Sequence, residues 1–233
     1  MHHWLPESIS TYGGDVDSVI RLVYYLTLLA FILMEGALLY MIFFSKKKNG
    51  ERGDYFRGDS LKQASWTLIP FLFVIGVDIF IDIKSTSTWK ILMTGAEDAE
   101  ISVRIEAEQF NWQMIYPGPD NINGTEDDRT IENVLHVPVN KKIRLILTSR
   151  DVIHSFFVPV LRLKMDCLPG REIDVWFEAT EVGEYEIPCA ELCGYGHSGM
   201  LGRLIVHSTE DYQSWFNETW ELKSDSVLAR SSL

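Results

Sequence analysis

Only three cysteines occur in the 233 residues, and none stands in a Cys-x-x-Cys-His arrangement, which excludes a covalently attached c-type heme. Positive charge is also short. The chain has 21 Lys and Arg against 33 Asp and Glu, a formal net charge of −12, and this argues against a nucleic-acid surface. No fixed-period repeat is present, which sets aside solenoids and propellers. The turn-rich, acidic stretch Pro117–Asp128 lacks EF-hand spacing, so it reads as a solvated hairpin loop in preference to a calcium site. The first long apolar run follows Glu7, Asp15 and Asp17 where a signal peptide has a basic segment, and no small-residue cleavage site comes after it. It is therefore kept as part of the working chain.

Two apolar runs are present. In Val19–Phe44 the 23 residues after Arg21 are almost wholly apolar, enough as a helix to cross about 30 Å of hydrocarbon. Trp66–Ile83 is a second run of 18 residues, near the minimum for a span. Helices over 19–44 and 66–83 are expected to form a hairpin in the bilayer, within an anchoring unit of residues 1–94. The connection between them carries Lys46, Lys47, Lys48, Arg52, Arg57 and Lys62 against Glu51, Asp54 and Asp59, so the positive-inside rule places it in the cytoplasm and both termini outside. Up to residue 94 nine basic residues balance nine acidic ones; beyond it twelve face twenty-four, so the outer part carries all the net charge. Such a surface suits a cationic partner. Glu35, Asp78 and Asp82 lie within the apolar runs, where ionisable groups face protein or water and either bond a neighbouring helix or border a proton path.

After residue 94 the pattern changes to short alternating runs. Ile101–Ile105, Lys142–Leu147, Ile173–Phe177, Tyr185–Ile187 and Arg203–Val206 are rich in β-branched and aromatic residues and separated by Gly, Pro and Asp. Short strands with such punctuation predict an all-β sandwich or barrel over 95–222. A closing helix is expected over Thr209–Leu222, with Ser208 or Thr209 as its cap, early Glu210 and Asp211 suiting the helix dipole, and Tyr212, Trp215, Phe216 and Trp220 as its apolar stripe. Residues 223–233 read as a disordered tail.

Chemistry concentrates in residues 189–200. Cys189, Cys193, His197 and Met200 place two thiols, an imidazole and a thioether within twelve residues. A structural zinc ion takes four Cys or His ligands, and this run offers three with a methionine. A disulfide between Cys189 and Cys193 leaves His197 and Met200 unexplained. A blue-copper centre needs one cysteine, two histidines and an axial methionine, so the second cysteine is in surplus and points to two bridged copper ions. A second imidazole must come from elsewhere. His154, in Asp151–Pro159 before an apolar run, is the best candidate. His2 and His3 are terminal, His136 alternates with apolar residues as strand filler, and His207 closes a strand. Gly194, Gly196, Gly199 and Ala190 leave room for backbone close to an ion.

The run Cys-x-Glu-x-Cys-x-x-x-His-x-x-Met, with Asp-Val-x-His-Ser-Phe upstream, resembles the dinuclear CuA site of cytochrome c oxidase subunit II. The similarity extends to the two spans, to Gln109-Phe110-Asn111-Trp112 and to Leu163–Arg171. It implies a two-helix transmembrane hairpin followed by a cupredoxin-like Greek-key sandwich with a short C-terminal helix. It makes Cys189 and Cys193 the bridging thiolates, His154 and His197 the terminal imidazoles and Met200 a weak ligand. Glu191 becomes a ligand through its main-chain carbonyl, its carboxylate reaching a magnesium ion shared with subunit I.

The function so implied is transfer of electrons from cytochrome c to heme in subunit I, where oxygen is reduced to water. Partners would be subunit I, subunit III, cytochrome c and a bacterial plasma membrane, with the copper domain on the periplasmic side. Phe110, Trp112, Asp151 and Asp166 are the candidates for electron entry and docking. The chain departs from the family pattern at Phe110, where a tryptophan is usual, at Gln63, where many members have a glutamate at the mouth of a proton path, and at Cys167, where alanine is common. A CuA subunit of a nitric oxide reductase is the alternative. A quinol oxidase subunit II lacks the copper ligands, and a nitrous oxide reductase needs a larger catalytic domain.

Overall fold

The computed structural model describes residues 5–44, 55, 57–120 and 122–230, with side chains in the last helix as far as Trp220. His2, His3 and most of the basic connection between the two spans lie outside the described residues, as does the end of the tail.

Helix α1 runs Gly13–Phe44 and helix α2 Leu61–Thr94, and both are long and apolar enough to cross a membrane. They cover the expected runs and exceed them. The extension of α2 past Ile83 takes in the polar stretch Lys84–Lys90, because hydrogen bonding carries a helix on past the end of its apolar stretch. Pro70 sits inside α2, as membrane helices tolerate. Asp15–Lys90 forms one compact unit, and a second comprises the N-terminal segment through Gly14 together with Ile91 onward.

The second unit is a β-sandwich. Its strands are β1 Ile101–Glu108, β2 Asn111–Tyr116, β3 Arg129–Glu132, β4 Val134–Pro138, β5 Lys142–Ser149, β6 His154–Val158, β7 Leu163–Cys167, β8 Ile173–Glu178, β9 Gly183–Pro188 and β10 Leu201–His207. One sheet has the order β3-β2-β1-β5-β8, a second β4-β10-β9, and β6 pairs with β7 as a separate hairpin. Pairing is mostly antiparallel, but β1 lies parallel to β5 and β10 parallel to β4, so the chain crosses between sheets.

Alternation decides which residues face inward. In β1, Val103, Ile105 and Ala107 are fully buried while Arg104 and Glu106 point away, and in β10 Leu204 and Val206 are buried in the same manner. Trp112, Met114, Leu145, Leu147 and Phe177 from one sheet and Leu135, Val137 and Ile187 from the other complete the core.

The segment before α1 belongs to this sandwich, which corrects the boundary drawn from sequence, where it was grouped with the anchor. Ile9 N donates to Val160 O at 2.9 Å, Thr180 N to Ile9 O at 2.7 Å, and Ser10 bridges Ala179. Ile9 and Tyr12 are each only 2 % exposed, and Tyr12 meets the Trp176 ring edge-on. Burial of two large apolar side chains outweighs the polar character of the rest of the segment.

Helix α3 spans Thr209–Arg230, eight residues beyond the expected end at Leu222. Its cap is as read from sequence: Asp211 N donates to Ser208 Oγ at 3.1 Å. The loop before β3 is tied by turn bonds, with Thr125 Oγ1 on Asp127 Oδ1 and Gly124 N on Asp128 Oδ2, and Trp220 Nε1 donates to Asp127 O.

Candidate metal centre

The sulfur-rich loop joins β9 to β10, and its two ends are pinned together. Cys189 N donates to Met200 O at 3.1 Å, which closes residues 189–200 into a lobe. Ala190 N donates to Ser155 O at 2.9 Å and Cys189 bridges Phe156, which ties the lobe to the strand that begins at His154. A 3-10 turn at His197–Gly199 turns the chain back toward β10. Gly194 has φ +134°, open to glycine and strained for other residues. At Gly196 an added Cβ would stand 2.5 Å from the Phe110 ring, so the aromatic ring packs directly on loop backbone.

All six donors named from sequence meet here. Cys189 Sγ and Cys193 Sγ are 3.9 Å apart, well beyond a disulfide bond of about 2.05 Å, and both cysteines are free. His154 Nδ1 lies 3.9 Å from Cys189 Sγ, and the Glu191 carbonyl oxygen 3.2 Å from it. His197 Nδ1 lies 3.6 Å from Cys193 Sγ, and Met200 Sδ 3.8 Å from it. His154, Cys193 and Met200 are each at most 3 % exposed.

Among the described residues, His154, Cys189 and Cys193 form the one group of three His, Cys, Asp or Glu whose ligand atoms all lie within 4.8 Å of one another. His197 touches Cys193 but stands outside that group. The donors therefore ring the pair of sulfurs and do not meet at one point. The donor set itself, thiol, imidazole and thioether, is of the kind copper takes. Burial pushes the Cys193 thiol up to about 11, with Cys189 beside it adding to the effect, so an incoming ion must displace protons.

The structure gives Asp151 a task that the sequence reading missed. It was taken there as a docking acid. Here its Oδ1 accepts from His154 Nε2 at 2.9 Å, which fixes the ring so that Nδ1 faces the sulfurs. Burial works to raise the Asp151 carboxyl, but hydrogen bonds from His154 and from the amides of Gln109 and Val152 prevail and hold it below the ordinary carboxylate range. Gln109 was also passed over. Its amide nitrogen donates to Asp151 and its Nε2 to Cys193 O at 2.6 Å, joining the imidazole's partner to the sulfur loop.

Trp112 is fully buried, its ring 6.2 Å from that of His154 and 5.4 Å from Phe156, as a packing residue behind the site. Asp166 is exposed on β7, away from any described ligand contact. The Glu191 side chain is exposed, and among the described residues no second cluster of cation ligands forms around it. Cys167 is fully buried opposite His154, its thiol pushed up to about 12 by burial, as suits a small core residue. Beside the loop lies a depression of about 510 Å³ lined by Val152, Ile153, Pro169 and Leu192 with Asp151 and Glu191. Leu192, and Tyr195 farther along the loop, are exposed to solvent.

Comparison with known proteins gives a consistent set of relatives. The family described as "Cytochrome C oxidase subunit II, periplasmic domain" matches residues 106–209. The cytochrome c oxidase subunit 2 of Thermostichus vulcanus is 30 % identical, the alignment covering 97 % of this chain and 82 % of the relative. The alternative cytochrome c oxidase subunit 2 of Bradyrhizobium diazoefficiens is also 30 % identical, over 92 % of this chain and 83 % of the relative. Among solved structures, the periplasmic domain of subunit II of the cytochrome oxidase of Bradyrhizobium japonicum is 30 % identical, with a TM-score of 0.46, over 55 % of this chain and 98 % of that one.

Proposed function

The chain belongs to the cytochrome c oxidase subunit II family, and from that premise we propose that it is the electron-entry subunit of a heme-copper oxidase, its loop between β9 and β10 holding a dinuclear CuA centre. Cytochrome c is the donor, and subunit I, which carries the heme and reduces oxygen to water, is the acceptor. The observation that carries this reading is the ring of six donors around two sulfurs 3.9 Å apart. Cys189 and Cys193 would bridge, His154 and His197 would close the two ends, and Met200 and the Glu191 carbonyl would bind weakly. Copper held there supplies a one-electron redox couple.

The protein's own part is to hold these donors still and dry. His154 is locked by Asp151, Cys193 by Gln109, and the loop neck by the Cys189–Met200 backbone bond. Trp112 and Phe156 exclude water from behind. A site with so little freedom needs little rearrangement when its charge changes. The exposed Leu192 and Tyr195, with an acidic surround, suit a cationic donor whose contact face is apolar.

The basic connection between the two spans supports both ends of the hairpin lying on the periplasmic side. Magnesium at the Glu191 carboxylate requires ligands from subunit I.

The test is copper counting and electron paramagnetic resonance on the intact oxidase. Two coppers in this subunit sharing one unpaired electron are expected, with loss of that signal in Cys193→Ser. A single zinc ion, or an unaltered signal in the variant, would overturn the assignment. Oxygen uptake driven by cytochrome c separates the oxidase from the nitric oxide reductase alternative.

A further inference from the structure

A second group of metal-ligating side chains lies outside the sulfur loop, between β4, β10 and α3. His136 Nδ1 and His207 Nε2 are 2.8 Å apart, and the two rings lie within 13° of parallel. Both stack over the indole of Trp215, His136 with its centroid at 4.4 Å. The strands that carry them are paired in parallel, with Ile205 opposite His136 and His207 opposite Pro138, so their backbones cannot drift apart. His136 is held further by Tyr116, whose hydroxyl accepts from His136 N at 2.6 Å and donates to His136 O at 3.1 Å. Both rings are partly open to solvent.

We propose that His136 and His207 form an open two-imidazole site for one divalent transition-metal ion of the Cu²⁺, Ni²⁺ or Zn²⁺ class, separate from the sulfur centre. Two ligands at right angles on an ion with bonds of about 2.0 Å stand about 2.8 Å apart, the separation already present between these nitrogens. Each ring must turn by roughly 45° for its nitrogen, which now faces the other along the N···N line, to point at a common ion. The set contains no sulfur, so it favours borderline divalent ions over Cu⁺. Burial and the neighbouring His207 push His136 down to about 4, and burial lowers His207 as well, so both rings are neutral at neutral pH, and the one N–H between them need only pass to the other nitrogen of its ring for both to serve as ligands. The carboxylate of Asp211 in the first turn of α3 acts electrostatically on His207 and would stabilise an added positive charge. Water fills the remaining positions.

The test uses the full chain in its copper-loaded, detergent-solubilised form, titrated with Ni²⁺ and followed by calorimetry and by tryptophan fluorescence. One equivalent of Ni²⁺ is expected to bind beyond the loaded copper, quenching emission through Trp215, with no change in the resonance signal of the sulfur centre. His207→Gln and His136→Gln should each weaken binding about tenfold or more, and Trp215→Phe should remove the quenching while Ni²⁺ still binds. Circular dichroism and the sulfur-centre signal report folding independently, so a failure here is distinguishable from failure of the copper assignment. No binding by the folded chain, or equal binding by the His136→Gln/His207→Gln double variant, would leave a simple N–H···N hydrogen bond and overturn the proposal.

Discussion

At the scale of single residues, the site depends on groups that never touch a metal. Asp151 is the clearest. It accepts from His154 Nε2 and from the Gln109 amide, and so links the imidazole to the residue that holds the sulfur loop. Removing such a partner of a metal-bound histidine typically weakens metal binding by about 10–100-fold. Asp151→Asn is therefore expected to lose copper to a chelator about that much more readily while melting near the parent temperature, as seen by competition with a copper-binding dye. The cluster of Cys189, Cys193, His197 and Met200 stood out in the sequence because soft ligands at such short spacing have few other uses, whereas His154 had to be sought 35 residues upstream and the Glu191 carbonyl came from the family resemblance alone. Asp151 and Gln109 were not legible in these roles. An aspartate three residues before a histidine has no pattern of its own, and the Gln109 side chain reaches Cys193 across 84 residues of chain.

Elements add constraints through close packing and charge. Phe110 lies on the loop backbone at Gly194 and Gly196, so Gly196→Ala must displace the ring. Overpacking of this kind costs about 1–3 kcal/mol. Thermal melting of the intact chain should show that loss, and Phe110→Ala in the same chain should recover part of it. At the end of the central strand β1, Glu108 accepts from Gln113 and from Arg150, and these bonds, Gln113 first, hold its carboxyl below the ordinary 4.5. With the folded value depressed, the stabilisation is present above about pH 4.5 and is lost as pH falls through the folded value. Melting temperature should therefore drop more steeply in acid for the parent than for Glu108→Gln. Strands such as β1 and β5 were legible because a sheet with one buried face imposes alternation. The far end of α2 was not, since Lys84–Lys90 gives no apolar signal and helical hydrogen bonding needs none.

For the whole molecule, charge is the guide. The residues beyond 94 hold twenty-four acidic against twelve basic groups, and the loop between β9 and β10, with Leu192 and Tyr195 exposed on it, belongs to that acidic half of the chain. If a basic cytochrome c is the donor, its rate of electron delivery should fall about tenfold or more between low and physiological ionic strength, measured by stopped-flow reduction. A flat response would remove cytochrome c of that kind from consideration. The division into an apolar pair of helices and an acidic β unit was readable from composition alone. The path of the first dozen residues was not, because Pro6–Tyr12 carries neither helical nor strand periodicity and its place is set by a groove made 150 residues later in the chain.

That groove ties folding to threading. Ile9 and Ser10 are made before either span, yet their partners Val160, Leu161 and Ala179 arrive only after both spans have been made. A chain with one span left out would strand Ile9 and Tyr12 across the bilayer from their slot, leaving backbone carbonyls unpaired and apolar surface wet. Insertion of both spans is thus rewarded by the stability of the finished sandwich, and the segment that precedes α1 serves as a built-in check on that count.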